Sequence, residues 1–316
     1  MAAKTLDFFK SSGLTHNVTD TSSGAKIHSY NSDLGPDTPV LTLIHGYPQS
    51  AFEWRYMVPL LKNQISLFIP ELPGYGISTP CSSHTKRAVG TALLEALEKV
   101  FGSRTVILGG HDRGARICHR LAVDRASFPN LKIIGVMMLD IVPTWVQWQA
   151  FANPVVAAGY FHWPLLANPE MATNILLAYG GDRWAREANT RLAGSDPNSV
   201  SRVASDGAID VYAELFKERD TIYYSCEDYS TGAREDVDQQ KEDQSEGRKI
   251  DVPTLVMFSK AKLGSTQDVA QVWRDWIKEG VEYTPIGVGG GRGHYLPEEA
   301  PGDVTSALET FLKGLL

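Results

Sequence analysis

The sequence predicts an α/β fold: a mostly parallel, doubly wound sheet with an inserted helical cap. Three observations predict it. Short β-branched and apolar runs recur, each ending in turn residues. Helical patterns lie between them. One tryptophan-rich stretch, from about Pro143 to Lys249, breaks that rhythm and contains no convincing strand. Near-continuous apolar runs suit strands buried on both faces of a parallel sheet. Their alternation with helices implies a doubly wound arrangement.

In chain order, the runs are Val40 to His45 (VLTLIH), Ser66 to Pro70 (SLFIP), Thr105 to Leu108, Ile133 to Leu139 (IIGVMML), Val252 to Phe258 and Glu282 to Ile286. The helical patterns are Arg87 to Phe101, Gly114 to Val123, Val269 to Lys278 and Asp303 to Leu315. The first of these carries Val89, Leu93, Leu94, Leu97 and Val100 at helical spacing. Trp145, Trp148, Trp163 and Trp184 fall in the interrupting stretch, which ends in the charged run Arg234 to Lys249. Because strand patterns resume at Val252, this stretch reads as an insertion rather than a separate domain. The expected organisation is core 1–142, cap 143–249 and core 250–316.

The chain has 316 residues, 43% apolar and 21% charged, enough for a large core. A net charge of -7 does not favour nucleic acid or an anionic membrane as partner, and it says nothing against a small anionic substrate. Three cysteines, Cys81, Cys118 and Cys226, show no paired spacing and suit a reducing compartment. The first residues lack a signal peptide's apolar segment, and no apolar run reaches membrane-spanning length. The expectation is a soluble cytoplasmic protein.

The strongest chemical signal is Gly109-Gly110-His111-Asp112-Arg113-Gly114, placed between a strand and a helix. A nucleophile on such a sharp turn needs small neighbours so that strand and helix can approach closely. Asp112 holds the nucleophile position, flanked by Gly110 and Gly114. A carboxylate there suits attack on an sp3 carbon with formation of an ester. Taken alone, Asp112 reads equally well as the cap of the following helix.

The neighbouring motifs favour the nucleophile. His45-Gly46-Tyr47-Pro48 follows the first strong strand, where one oxyanion-hole amide is expected; the donors would be the Tyr47 and Arg113 N–H groups. His294 follows the last strand and fits a general base, and Asp140, at the end of an apolar strand, fits the acid that orients it. Asp268 is a second candidate acid, but its loop-to-helix context reads as a helix-terminal residue. Arg113 and Arg116 sit in the first helical turn, where the helix dipole disfavours cations. Three residues apart, they can converge on one substrate carboxylate; the alternative is salt bridging to nearby acids. No metal-ligand spacing is present, and this chemistry requires no metal or organic cofactor.

On these residues the chain resembles the fluoroacetate dehalogenases, a branch of the α/β hydrolases near the haloalkane dehalogenases and epoxide hydrolases. The resemblance runs from about Leu41 and includes HGYPQ (His45 to Gln49), LPGYG (Leu72 to Gly76), GHDRGAR (Gly110 to Arg116) and LDIVPT (Leu139 to Thr144). It continues through His162-Trp163, CEDY (Cys226 to Tyr229) and GHYLPEEAP (Gly293 to Pro301). It implies the α/β-hydrolase fold, with Asp112 as nucleophile, His294 as base, Asp140 as its acid, and Arg113 and Arg116 as a carboxylate clamp. It also implies His162, Trp163 and Tyr229 as donors to a departing halide, and suggests a homodimer. The implied reaction displaces halide from a small 2-haloacid through a covalent ester, giving the 2-hydroxy acid.

Several segments depart from the family pattern: Glu71 before LPGYG, Tyr47 in the HGYP loop, Ser259 to Leu263 (SKAKL) and the glycine-rich run Gly287 to Gly293. They bear on pocket shape and substrate more than on reaction type. Three other readings stay open. One is epoxide hydrolysis, with Tyr223, Tyr224 and Tyr229 as candidate proton donors; Arg113, where epoxide hydrolases usually carry Trp, argues against it. The others are hydrolysis of a larger acid and a non-catalytic receptor for small molecules.

Overall fold

The structure is a computed structural model, described over residues 2–316. Eight strands form one sheet: β1 (Thr15–Asp20), β2 (Lys26–Ser32), β3 (Val40–Thr42), β4 (Ser66–Pro70), β5 (Arg104–His111), β6 (Leu131–Leu139), β7 (Thr254–Ser259) and β8 (Tyr283–Val288). Their order is β1-β2-β4-β3-β5-β6-β7-β8. The pairs β1/β2 and β2/β4 are antiparallel; all others are parallel. The α/β-hydrolase fold expected from the sequence is the fold observed.

All six expected runs enter the sheet, with shifted limits. VLTLIH keeps regular pairing only over Val40–Thr42, then touches β5 again through an Ile44–Gly110 bridge. The β5 strand is longer than expected and carries its pairing with β6 up to His111, the residue before Asp112. The hairpin β1–β2 was not anticipated. Its strands, THNVTD and KIHSYNS, are polar, and β1 lies at the sheet edge with its side chains exposed or half-buried. No apolar run marks such a strand.

Successive residues of β6 enter different apolar layers. Val136 and Met138 pack on one face, with Leu93, Leu97, Ile117 and Leu121 of the helices Lys86–Phe101 and Arg113–Val123. Met137 and Leu139 pack on the other, with Trp54, Leu61, Leu308 and Phe311. Both faces of the strand are thus dry, which is why the run reads as continuous rather than alternating.

Between β6 and β7 the chain forms only helices and irregular segments, from Thr144–Ala150 to Glu235–Glu246. Val156, His162 and Trp163 of these segments share a cavity with Asp112, which follows β5, and Asp140, which follows β6. Among the described residues, no helix is long and apolar enough to cross a membrane.

Candidate active site

Three close approaches build the turn at Asp112. A Cβ on Gly110 would lie 2.6 Å from the Gly114 carbonyl carbon, and a Cβ on Gly114 would lie 2.1 Å from the Ile44 oxygen. A Cβ on Gly46 would meet the Asp112 Cβ at 2.7 Å. Strand, helix and HGYP loop therefore meet at distances that only glycine permits. Asp112 itself has φ 47° and ψ −112°, a conformation that costs a non-glycine residue free energy. Asp140 also has a positive φ, 52°.

The Asp112 side chain does not cap the helix that follows it. Its Oδ1 instead accepts the Tyr47 backbone N–H at 3.0 Å, and its Oδ2 lies 3.7 Å from His294 Nε2. His294 Nδ1 is 2.6 Å from Asp140 Oδ2, and Asp140 Oδ1 accepts the Ser259 N–H at 2.8 Å. Asp268 caps the helix Val269–Arg274, accepting the Gln271 N–H at 3.0 Å. Burial pushes the Asp112 carboxyl upward, but His294, Arg113, His111 and Arg116 together outweigh it and hold the group below its ordinary value. An ionised carboxylate with one oxygen on an amide and the other facing a histidine can act as a nucleophile.

The histidine is held from three sides. The Gly293 and Tyr295 amides, on either side of it, donate to Glu299 at 2.6 and 3.0 Å, and the His294 amide donates to the Leu192 carbonyl at 3.0 Å. The glycine-rich run has a steric reason here. A Cβ on Gly293 would lie 2.2 Å from the Gly194 nitrogen of the cap. Beneath the site, His111 Nε2 donates to the His294 carbonyl at 2.9 Å and Nδ1 faces Glu53 at 3.2 Å. Burial opposes charge on His111, but the Glu53 carboxylate prevails and lifts its pKa to about 9. The sequence reading missed this pair. Glu53 and His111 are 58 positions apart, and no local signal joins them.

The two arginines of the motif are not equivalent. Arg113 is fully buried; Nε donates to Asp228 Oδ2 at 2.5 Å and Nη2 to the Asp228 carbonyl at 2.8 Å, leaving Nη1 without a partner. Arg116 donates to the Val142 carbonyl at 2.9 Å and the Thr144 hydroxyl at 3.2 Å, with Nε unpartnered. Arg116 lines the cavity beside Asp112; Arg113 does not. Of the pair whose spacing suggested convergence on one ligand, only Arg116 therefore reaches the cavity. For Arg113 the alternative, pairing with an acid, is what forms. Burial, aided by Arg113, lowers the Arg116 pKa to about 10.

The cavity between core and cap measures about 450 Å³ and includes Asp112, Arg116, Asp140, His162, Trp163 and His294 in its walls. His162 Nδ1 faces Arg191 Nη2 at 3.5 Å. Burial, with help from Arg191, lowers the His162 pKa to about 3, so the ring is neutral. An arginine can only donate, so Nδ1 accepts and the ring proton sits on Nε2. Tyr229 lies behind this wall, its ring centroid 5.6 Å from Trp163 and 5.3 Å from Tyr47. Burial, reinforced by Asp112, holds its hydroxyl proton well above the ordinary range. The Tyr47 hydroxyl accepts the Trp184 indole N–H at 2.7 Å and ties the HGYP loop to the cap.

Of the other tyrosines considered, Tyr223 and Tyr224 do not line the cavity, and Tyr224 stacks on His84 with centroids 5.3 Å apart. Tyr160, which the sequence reading did not single out, does line it. Among the described residues, no group of three or more His, Cys, Asp or Glu side chains is arranged to hold a metal ion.

Comparison with known proteins bears on the fold and the class of activity. The chain is 27% identical over 294 residues to fluoroacetate dehalogenase of Burkholderia sp, covering 89% of this chain and 90% of that protein. It is 28% identical over 266 residues to soluble epoxide hydrolase of Corynebacterium sp. (strain C12), covering 83% and 85%. A candidate alpha/beta hydrolase from Nostoc sp PCC 7120 superposes with a TM-score of 0.84 at 28% identity, over 96% of this chain and 99% of that one. Residues 43–308 match the alpha/beta hydrolase family. The chain belongs to that family, and the names of its relatives support a hydrolytic function.

Proposed function

We propose that the protein hydrolyses 2-haloacids through a covalent ester on Asp112, giving the 2-hydroxy acid and halide. The observation that carries this reading is the division of labour on Asp112, one oxygen on the Tyr47 amide and the other toward His294. The substrate carboxylate docks on Arg116, which lines the cavity beside Asp112. An Asp112 oxygen attacks the carbon bearing the halogen from the opposite side. The new C–O bond forms as the carbon–halogen bond breaks, and the halide leaves with the bonding pair.

Two donors on the cavity wall receive it: His162 Nε2–H and the Trp163 indole N–H. Charge developing on the leaving group in a water-poor pocket is where such donors have their largest effect. His294, oriented by Asp140, then takes a proton from water, which attacks the Asp112 carboxyl carbon. The Tyr47 amide, and the Arg113 amide at the first helical position, stabilise the oxyanion. Collapse breaks the bond between the Asp112 carboxyl carbon and the substrate oxygen, which takes the proton held by His294 and leaves as the hydroxy acid, and the Asp112 carboxylate is restored as its remaining acid proton passes to solvent. The name of the Burkholderia relative supports fluoride as a leaving group.

Epoxide hydrolysis is the second reading, because Tyr160 lines the cavity and can protonate an epoxide oxygen. One experiment separates the two: incubation with fluoro-, chloro- and bromoacids and with epoxides, measuring halide and diol. The haloacid reading expects halide release that Asp112→Asn abolishes. Diol without halide would overturn it in favour of the epoxide reading.

A further inference from the structure

We propose that the mouth of the cavity carries a second anion subsite, formed by Arg191 and Lys262, and that the substrate is an α,ω-dicarboxylic acid bearing its leaving group next to the inner carboxylate. The assignment of the inner end rests on the haloacid reading. The outer subsite rests on the following observations.

The cavity is larger than a two-carbon acid needs. At about 450 Å³ it lies in the range of sites for much bigger ligands. Its charge is also unbalanced. Arg116, Arg191 and Lys262 all line it, against Asp112 and Asp140. Both acids are engaged with His294. Among the described residues, no carboxylate lies within 4.0 Å of any of the three cations, whereas Arg113 has one and Lys86 and Arg55 have two each. Buried Arg116 marks the inner end, and exposed Arg191 with half-buried Lys262 marks the outer one.

The outer pair is assembled from both parts of the chain. Arg191 ends a cap helix, Gly181–Arg191, and Lys262 lies in the SKAKL loop after β7. The Lys262 ammonium donates to the Arg191 carbonyl at 3.3 Å, which brings the two residues to one place. The Arg191 guanidinium donates to the Gly159 carbonyl at 3.0 Å and faces His162 Nδ1 at 3.5 Å. Its carbon lies 5.1 Å from the Phe161 ring centroid. These contacts orient the fork and leave part of its donor set for a ligand. Val156, Leu192 and Leu263 also line the cavity and give its wall apolar surface suited to methylene groups.

Binding of unreactive acids tests the subsite independently of turnover. Calorimetry compares the diacids succinate, glutarate, adipate, pimelate and suberate with monoacids of the same carbon number. The expected result is one chain length at which the diacid binds roughly tenfold more tightly than its monoacid. Lys262→Met and Arg191→Met should each shrink that advantage, and Lys262→Arg should retain it. The proposal is overturned if no diacid outbinds its monoacid, or if the advantage is unchanged in both Met variants. Bromide release from bromoacetate and 2-bromoadipate is read separately. A diacid advantage without release from either sinks the haloacid reading alone. Release without a diacid advantage sinks the subsite alone.

Discussion

Asp112 and Trp163 face the same cavity from two regions built by different rules. On the sheet side, position is set by backbone. Gly46, Gly110 and Gly114 leave no room for a methyl group, and Asp112 and Asp140 sit at positive φ on strand ends. On the cap side, position is set by side chains. Trp163 packs against Trp148 and Tyr229, with the Arg116 guanidinium carbon 4.6 Å from its ring centroid. A backbone-built constellation tolerates almost no local change, and in this account it carries the reaction. A side-chain-built wall can be altered residue by residue, and in the proposed mechanism it sets what is bound and what leaves.

The largest expected effect is on the sheet side. Gly114→Ala puts a methyl group 2.1 Å from the Ile44 oxygen. Backbone has to move on both elements, and the cost should exceed about 3 kcal/mol. Denaturant unfolding should show a protein too unstable to purify or one with a much lower midpoint. A wild-type midpoint would break the claim that glycine is sterically required there.

Next come the two arginines, which straddle the boundary. Arg113→Met strips Asp228 of one cation and leaves the other, Lys86, in place. Removing one partner of a buried pair costs about 3–5 kcal/mol. Arg116→Lys should spare stability and raise KM for acids roughly tenfold, because a point charge replaces a planar fork. Equal effects on KM from the two variants would restore the symmetric clamp read from the sequence.

A smaller change is expected from the cap. Trp163→Phe removes one N–H and keeps an aromatic ring. It should slow fluoride release by roughly a hundredfold and bromide release much less, since fluoride depends more on donated hydrogen bonds. A uniform slowing of both halides would assign Trp163 to packing.

The smallest concerns His111. Its folded-state pKa of about 9 lies above the ordinary histidine value. Burial raises the Glu53 carboxyl to about 7, so both partners are charged between about pH 7 and about pH 9, and the pair's contribution disappears as pH rises through about 9. Thermal unfolding between about pH 7 and about pH 9.5 should show Tm falling in the wild type and falling less in His111→Gln. Parallel curves would remove the ion pair with Glu53 from the account.

The same contrast explains what could be read in the sequence. Runs such as IIGVMML are legible because a strand buried on both faces must be apolar throughout. The turn at Asp112 is legible because close approach demands glycine at fixed offsets. The β1–β2 hairpin was not, because edge strands carry polar residues. Nor were the Asp228 partner of Arg113, the Glu53–His111 pair or Tyr160. Each depends on contacts between residues far apart in the chain, and nothing local in the sequence records them. The roles of His162, Trp163 and Tyr229 were suggested by family resemblance alone.

The central claim is that Asp112 itself becomes bonded to the substrate. A single turnover in heavy-oxygen water, with enzyme in excess over a 2-haloacid, tests it most directly. The account predicts that the new hydroxyl carries ordinary oxygen from Asp112 and that heavy oxygen enters the peptide containing Asp112. Heavy oxygen in the first-turnover hydroxyl, with none in that peptide, would mean that water attacks the substrate directly and would contradict the account.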